Sequence, residues 1–165
     1  MYYHMDMHGG PYSFKWIGAT YLPRVWEQMT QAYEFGVRQI WVTNIGDIGT
    51  QELGLSYFLD LAYDIDKWGG TDAGITLEYV NEWAERQFGG MLPLSGRNKA
   101  KKILWDYTGL LERRRHEIMN TWVYHPLHFG EADRILAVSD EILKESAALK
   151  KRITDENLSA FINLA

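Results

Sequence analysis

The chain has 165 residues, enough for one domain or two small ones around a hydrophobic core, and its 46% hydrophobic and 24% charged residues exclude a disordered polymer. Net charge is −5, unevenly spread: residues 1–90 carry 5 Lys/Arg against 12 Asp/Glu, whereas residues 91–165 carry 12 against 10. An acidic first part argues against nucleic acid as a partner, and the absence of cysteine excludes disulfides and thiolate zinc sites while leaving the redox compartment open.

The opening segment Tyr2-Tyr3-His4-Met5-Asp6-Met7-His8 reads as a strand that ends at Gly9-Gly10-Pro11. Alternation puts His4, Asp6 and His8 on one face and Tyr3, Met5 and Met7 on the other. Pro23 stands where a helix begins, and Val25, Trp26, Met29 and Tyr33 recur at helical spacing until Gly36. A second strand is predicted over 38–43, leading into Asn44-Ile45-Gly46-Asp47. Strand, helix and strand make a βαβ unit, whose parallel strands open at the same edge of the sheet. His4 and Asp6 are therefore expected beside Asn44 and Asp47.

Residues 52–62 are predicted to be a helix buried on most sides, and 64–74 a loop containing Gly69-Gly70. Thr76 is expected to cap a helix whose stripe is Leu77, Val80, Trp83, Ala84 and Gln87, stopped by Gly89-Gly90. Helices are predicted over 98–119, 130–153 and from about 156. The stretch 130–153 carries a one-sided stripe of Ile135, Val138, Ile142, Leu149 and Ile153. The fold class is α/β, with a boundary near 65–75 between an α/β part (1–70) and a helical part (71–165). Met1 lies directly against a strand of internal character, and the apolar pattern Leu158, Phe161, Ile162 and Ala165 is still running at the end. Both features suggest an internal piece of a longer protein. The sequence has no apolar run approaching the ~20 residues of a membrane span and no export signal, so no membrane partner is expected.

Several constellations can carry chemistry. His4-x-Asp6-x-His8 has the residue types of a metal site, but alternate residues on one strand stand about 6.5 to 7 Å apart, and hydrogen bonding of His4 and Asp6 to neighbours accounts for them more simply. Carbohydrate binding is a second reading, with Asp, Asn and His for hydroxyls and Tyr2, Tyr3, Tyr12, Trp16 or Trp41 for apolar sugar faces. Asp47 and Glu52 could be the paired carboxylates of a glycosidase or ordinary charges near a helix start. Arg113-Arg114-Arg115 fans around a helix and reads as a solvated face.

The motifs Tyr2-Tyr3-His4-Met5-Asp6 with Gly9-Gly10-Pro11, Phe14-Lys15-Trp16, Val25-Trp26-Glu27-Gln28-Met29, Ala32-Tyr33-Glu34-Phe35-Gly36 and Ile40-Trp41-Val42-Thr43-Asn44-Ile45-Gly46-Asp47 occur in that order. Glu52, Phe58-Leu59-Asp60-Leu61-Ala62, Glu85-Arg86-Gln87-Phe88-Gly89, Tyr107-Thr108 and Glu131-Ala132-Asp133-Arg134 follow. Together they resemble glycoside hydrolase family 115, the xylan α-1,2-glucuronidases.

The resemblance implies the last βα units of a (β/α)8-like barrel followed by a helical bundle. It also implies inverting removal of 4-O-methyl-glucuronic acid from glucuronoxylan or its oligosaccharides, without metal or organic cofactor. On the family pattern His4 and Asn44 line the glucuronate pocket, Asp6 supports it, and Met7 stands where an aromatic residue is usual. Tyr12 replaces an arginine, and His8 is not part of the pattern. The catalytic acid and base are expected from segments N-terminal to this one and are unassigned here, so the isolated chain is expected to be inactive. The parent is expected to be secreted or periplasmic and to allow a homodimer. The alternative is a non-catalytic module that binds a saccharide or a partner protein.

Overall fold

A computed structural model describes residues 1–5, 18–46, 48–114 and 119–153. The first helix, α1 (Leu22–Glu34), starts with Pro23 in its first turn and buries Leu22, Val25 and Met29. Its end is a Schellman turn: Val37 N–H donates to Ala32 O at 3.0 Å and Gly36 N–H to Tyr33 O at 2.9 Å. Gly36 adopts φ +91°, which only glycine reaches without strain.

This turn sends the chain back along the sheet. Strand β1 (Tyr2–His4) pairs with β2 (Val42–Asn44) in parallel, with Tyr2 opposite Val42, Tyr3 opposite Thr43 and His4 opposite Asn44. The βαβ unit expected from the sequence is present, but its second strand covers 42–44 rather than 38–43. Backbone N–H and C=O groups become strand only where a partner faces them, and β1 offers three residues. The residues before β2 are held otherwise, with Trp41 Nε1 donating to Val37 O at 2.7 Å and the Met1 amino group donating to Ile40 O at 3.0 Å.

A 3-10 turn (Ile48–Thr50) leads into α2 (Glu52–Tyr63). Only one side of α2 is interior: Gly54, Tyr57, Phe58 and Leu61 are buried, whereas Leu59 and Tyr63 face solvent. The predicted loop 64–74 contains a one-turn helix, α3 (Ile65–Trp68), capped by Asp64, whose carboxylate accepts Lys67 N–H at 3.0 Å. Helix α4 (Ile75–Phe88) follows.

Thr76 does not cap α4. Its hydroxyl donates back to Ala73 O at 2.6 Å, while Asp72 Oδ1 accepts Gly74 N–H at 2.9 Å and shapes the entry. The buried face of α4 is Thr76, Tyr79, Val80, Trp83, Ala84 and Phe88, rotated from the predicted stripe, so that Leu77 is 41% exposed and Gln87 is on the surface. The rotation brings Tyr79 against Tyr57 and Trp68, with ring centroids 4.9 and 4.8 Å away, and aromatic area decides the orientation.

Helix α5 (Leu94–Glu112) begins earlier and ends earlier than the predicted 98–119. Helix α6 (Glu131–Lys150) packs on α5, which packs on α4. Its stripe turns inward as expected, with Ile142 and Leu149 buried and Ile135, Val138 and Ile153 half-buried. Lys102 joins α5 to α6, 3.2 Å from Glu145 and 2.7 Å from Asp106. The structure is thus mostly helical, with one small two-stranded parallel sheet. Among the described residues no helix is long and apolar enough to cross a membrane. The predicted helix from about 156 lies outside the described residues.

Candidate functional site

The end of the sheet holds the polar residues. At the last rung Asn44 Nδ2 lies 3.2 Å from His4 Nδ1, and Met5 N–H donates to Asn44 O at 2.8 Å, extending the ladder by one bond. The orientation of the amide follows from its other end. Asn44 Oδ1 accepts Gly46 N–H at 3.3 Å, so the NH2 group is the one that faces the imidazole. An NH2 donor requires an acceptor, so His4 Nδ1 carries no proton and the ring proton is on Nε2. His4 is exposed, and it presents an N–H donor beyond the end of the sheet.

Tyr2, two residues earlier on the same face of β1, sets its ring edge-on to His4 with centroids 4.7 Å apart. Its exposed ring is the aromatic surface next to the imidazole. Strand alternation carried the signal for this neighbour, because residues i and i+2 share a face.

The other aromatics with a sugar-facing reading are placed differently. Tyr3 points to the opposite face and stacks on Phe58 at 6.3 Å, and burial pushes its phenol up to about 12. Trp41 packs on Phe58 at 5.9 Å and is committed through its indole to Val37 O. Both serve the core below the sheet.

Asp6, Met7, His8, Tyr12, Trp16 and Asp47 lie outside the described residues, so the proposed pairing of Asp47 with Glu52 has one described member. Glu52 is exposed in the first turn of α2, where a carboxylate complements the helix dipole. Among the described residues no group of three or more His, Asp or Glu is placed to hold a metal ion.

The loop entering α1 is fastened to the start of α2. Thr20 Oγ1 donates to Gln51 Oε1 at 3.1 Å, both side chains buried, and Gly54 lets Thr20 lie directly against the helix. Arg24 in the first turn of α1 pairs with Glu112 at the end of α5, its Nε 3.0 Å from Oε1. The entry to α1 is thus fastened both to the start of α2 and to the C-terminal end of α5.

No curated protein matches the chain. The family model for glycosyl hydrolase family 115 matches residues 1–118. The span contains both strands, α1 to α5 and the quoted motifs through Tyr107-Thr108, whereas Glu131-Ala132-Asp133-Arg134 falls beyond it. This match covers more than half of the chain, and the chain belongs to glycosyl hydrolase family 115.

Proposed function

We propose that the paired ends of β1 and β2 form part of a pocket for the glucuronate side group of glucuronoxylan or its oligosaccharides. On this reading the protein works in the inverting removal of 4-O-methyl-glucuronic acid. Family membership supports a glycan substrate. The observation that carries the pocket is the Asn44–His4 hydrogen bond, which leaves His4 Nε2–H free to donate to a carboxylate or hydroxyl oxygen. The exposed ring of Tyr2 beside it suits an apolar sugar face. The family pattern adds Asp6 as a supporting residue and Met7 in the place of an aromatic, both outside the described residues.

In the same reading the β1–α1–β2–α2 segment is the end of a (β/α)8-like barrel spanning residues 1–70, and the helices of 71–165 belong to a following bundle. Ligands of such barrels sit at the carboxyl ends of the strands, where His4 and Asn44 stand. Inversion needs an acid and a base carboxyl about 6.5 to 9.5 Å apart with water between them. Segments outside these residues supply that pair, and the chain alone binds without turnover.

Calorimetric titration tests this. The 165-residue chain should bind a glucuronate-substituted xylo-oligosaccharide more tightly than its unsubstituted counterpart, and His4→Ala should lose that preference. Equal binding of the two sugars sinks the pocket, and release of glucuronic acid by the isolated chain sinks the division of labour.

A further inference from the structure

An open groove of about 490 Å³ lies between the end of α5 and the first turns of α6, lined by Arg113, Arg114, Arg134 and Tyr124. Its apolar wall is made by Ile135 and Val138. The size falls within the roughly 300–1,000 Å³ of small-molecule pockets. Three guanidinium groups are many for one groove of an acidic chain, and among the described residues none of the three has an acidic partner. The ion pairs among the described residues are made by other cations and lie elsewhere. Arg114 Nη1 only approaches Arg113 O, at 3.4 Å.

One carboxylate, Glu131, also lines the groove, but its Oε2 accepts His125 N–H at 3.0 Å and anchors the loop before α6. The groove therefore keeps an excess of positive charge. Its position is informative too. Arg113 follows directly on Glu112, which pairs with Arg24 at the start of α1, so the groove opens near the entry to α1. Arg113 and Arg114 are exposed, as the sequence reading of a solvated arginine run expects, and the groove adds a concave, aromatic-sided surface beside them.

We propose that this groove is a second saccharide-binding site, for a sugar that bears a carboxylate. Planar guanidinium forks match a carboxylate in bidentate fashion, and Tyr124 with Ile135 and Val138 offers a face for the C–H side of a sugar ring. The anionic half of the proposal stands on the arginines alone. The saccharide half rests on family membership and not on the His4–Asn44 pocket.

The test uses the full chain in a His4→Ala background, so that failure of the strand-end pocket and failure of the groove are separate results. Amide spectra are followed during titration with D-glucuronate, D-xylose and inorganic phosphate. Saturable shifts in the first turns of α6 with glucuronate, absent with xylose and at least tenfold weaker in Arg134→Ala or Arg113→Ala, support the groove. Circular dichroism of the variants checks that each remains folded. No shifts at millimolar glucuronate, or shifts that persist in both arginine variants, overturn it. Phosphate binding as tight as glucuronate overturns the sugar assignment, since a general anion site would then suffice.

Discussion

The Asn44 amide and the His4 imidazole meet across the last rung of a parallel sheet, 3.2 Å apart, although 40 residues separate them in sequence. Because Asn44 Oδ1 is engaged by Gly46 N–H, the contact sets the histidine tautomer rather than merely restraining the ring. Nitrogen-15 spectra of the imidazole should therefore show the proton on Nε2. Replacing the NH2 donor by a carboxylate oxygen in Asn44→Asp should move a proton onto Nδ1 and weaken glycan binding by about tenfold, the cost of one hydrogen bond to a charged group. A wild-type spectrum with Nδ1 protonated would contradict the assignment.

How much of this was legible in the sequence differs from element to element. The spacing from His4 to Asn44 sufficed for the parallel pair, because a strand, a three-turn helix ended by Gly36 and a second strand have one favoured hand. The length of β2 was not legible, since β-branched and aromatic residues announce a strand but the ladder ends where its partner ends. Asp64 did signal α3, as a capping carboxylate ahead of Lys67, but was outweighed by the glycines after it. The rotation of α4 depends on aromatic partners from α2 and α3, and no single helix reveals its neighbours. Within the candidate site, His4 and Asn44 were named from strand ends and a family pattern. The groove at Arg113 was missed because its walls come from two helices and a loop.

Gly54 tests which of two opposed effects dominates. In a helix interior Gly→Ala is normally favourable by about 0.8–1.0 kcal/mol. Here a Cβ would stand 2.8 Å from Thr20 Cβ and 2.9 Å from Cγ2, and the Thr20–Gln51 hydrogen bond holds that side chain in place. Overpacking of this kind costs about 1–3 kcal/mol, so Gly54→Ala should be net destabilising and lower the urea midpoint. A raised midpoint would mean that the α1 entry loop yields easily.

Thr43 is expected to behave in the opposite way. Its Oγ1 is buried with no hydrogen-bond partner among the described residues, an arrangement that costs about 1–3 kcal/mol. Valine has nearly the same shape, and branched apolar residues suit strands. Thr43→Val should leave the midpoint unchanged or raise it by up to about 1 kcal/mol in stability. A loss larger than that would reveal a role for the hydroxyl.

Alkaline pH should unfold the protein through its buried phenols. Burial pushes Tyr3 up to about 12 and raises Tyr57, Tyr79 and Tyr107, with the Asp60 carboxylate adding to the effect at Tyr79. In the unfolded chain a phenol ionises near pH 10. A raised folded value means that the stabilisation is complete below about pH 10 and is lost as pH rises from there through the folded value. Above about pH 10 the unfolded state binds fewer protons than the folded one, so the slope of stability against pH is negative, at most about 1.4 kcal/mol per unit for each fully buried phenol. Tyr57, 0% exposed and donating to Trp68 O at 3.1 Å, isolates the contribution. Tyr57→Phe should cost about 1 kcal/mol near neutral pH through the lost hydrogen bond. It should also make the alkaline decline shallower than in the wild type, a comparison that cancels the lysines titrating in the same range. Urea midpoints measured from about pH 8 to pH 11 check both. Parallel declines in the two proteins would show that the Tyr57 phenol ionises without unfolding the core.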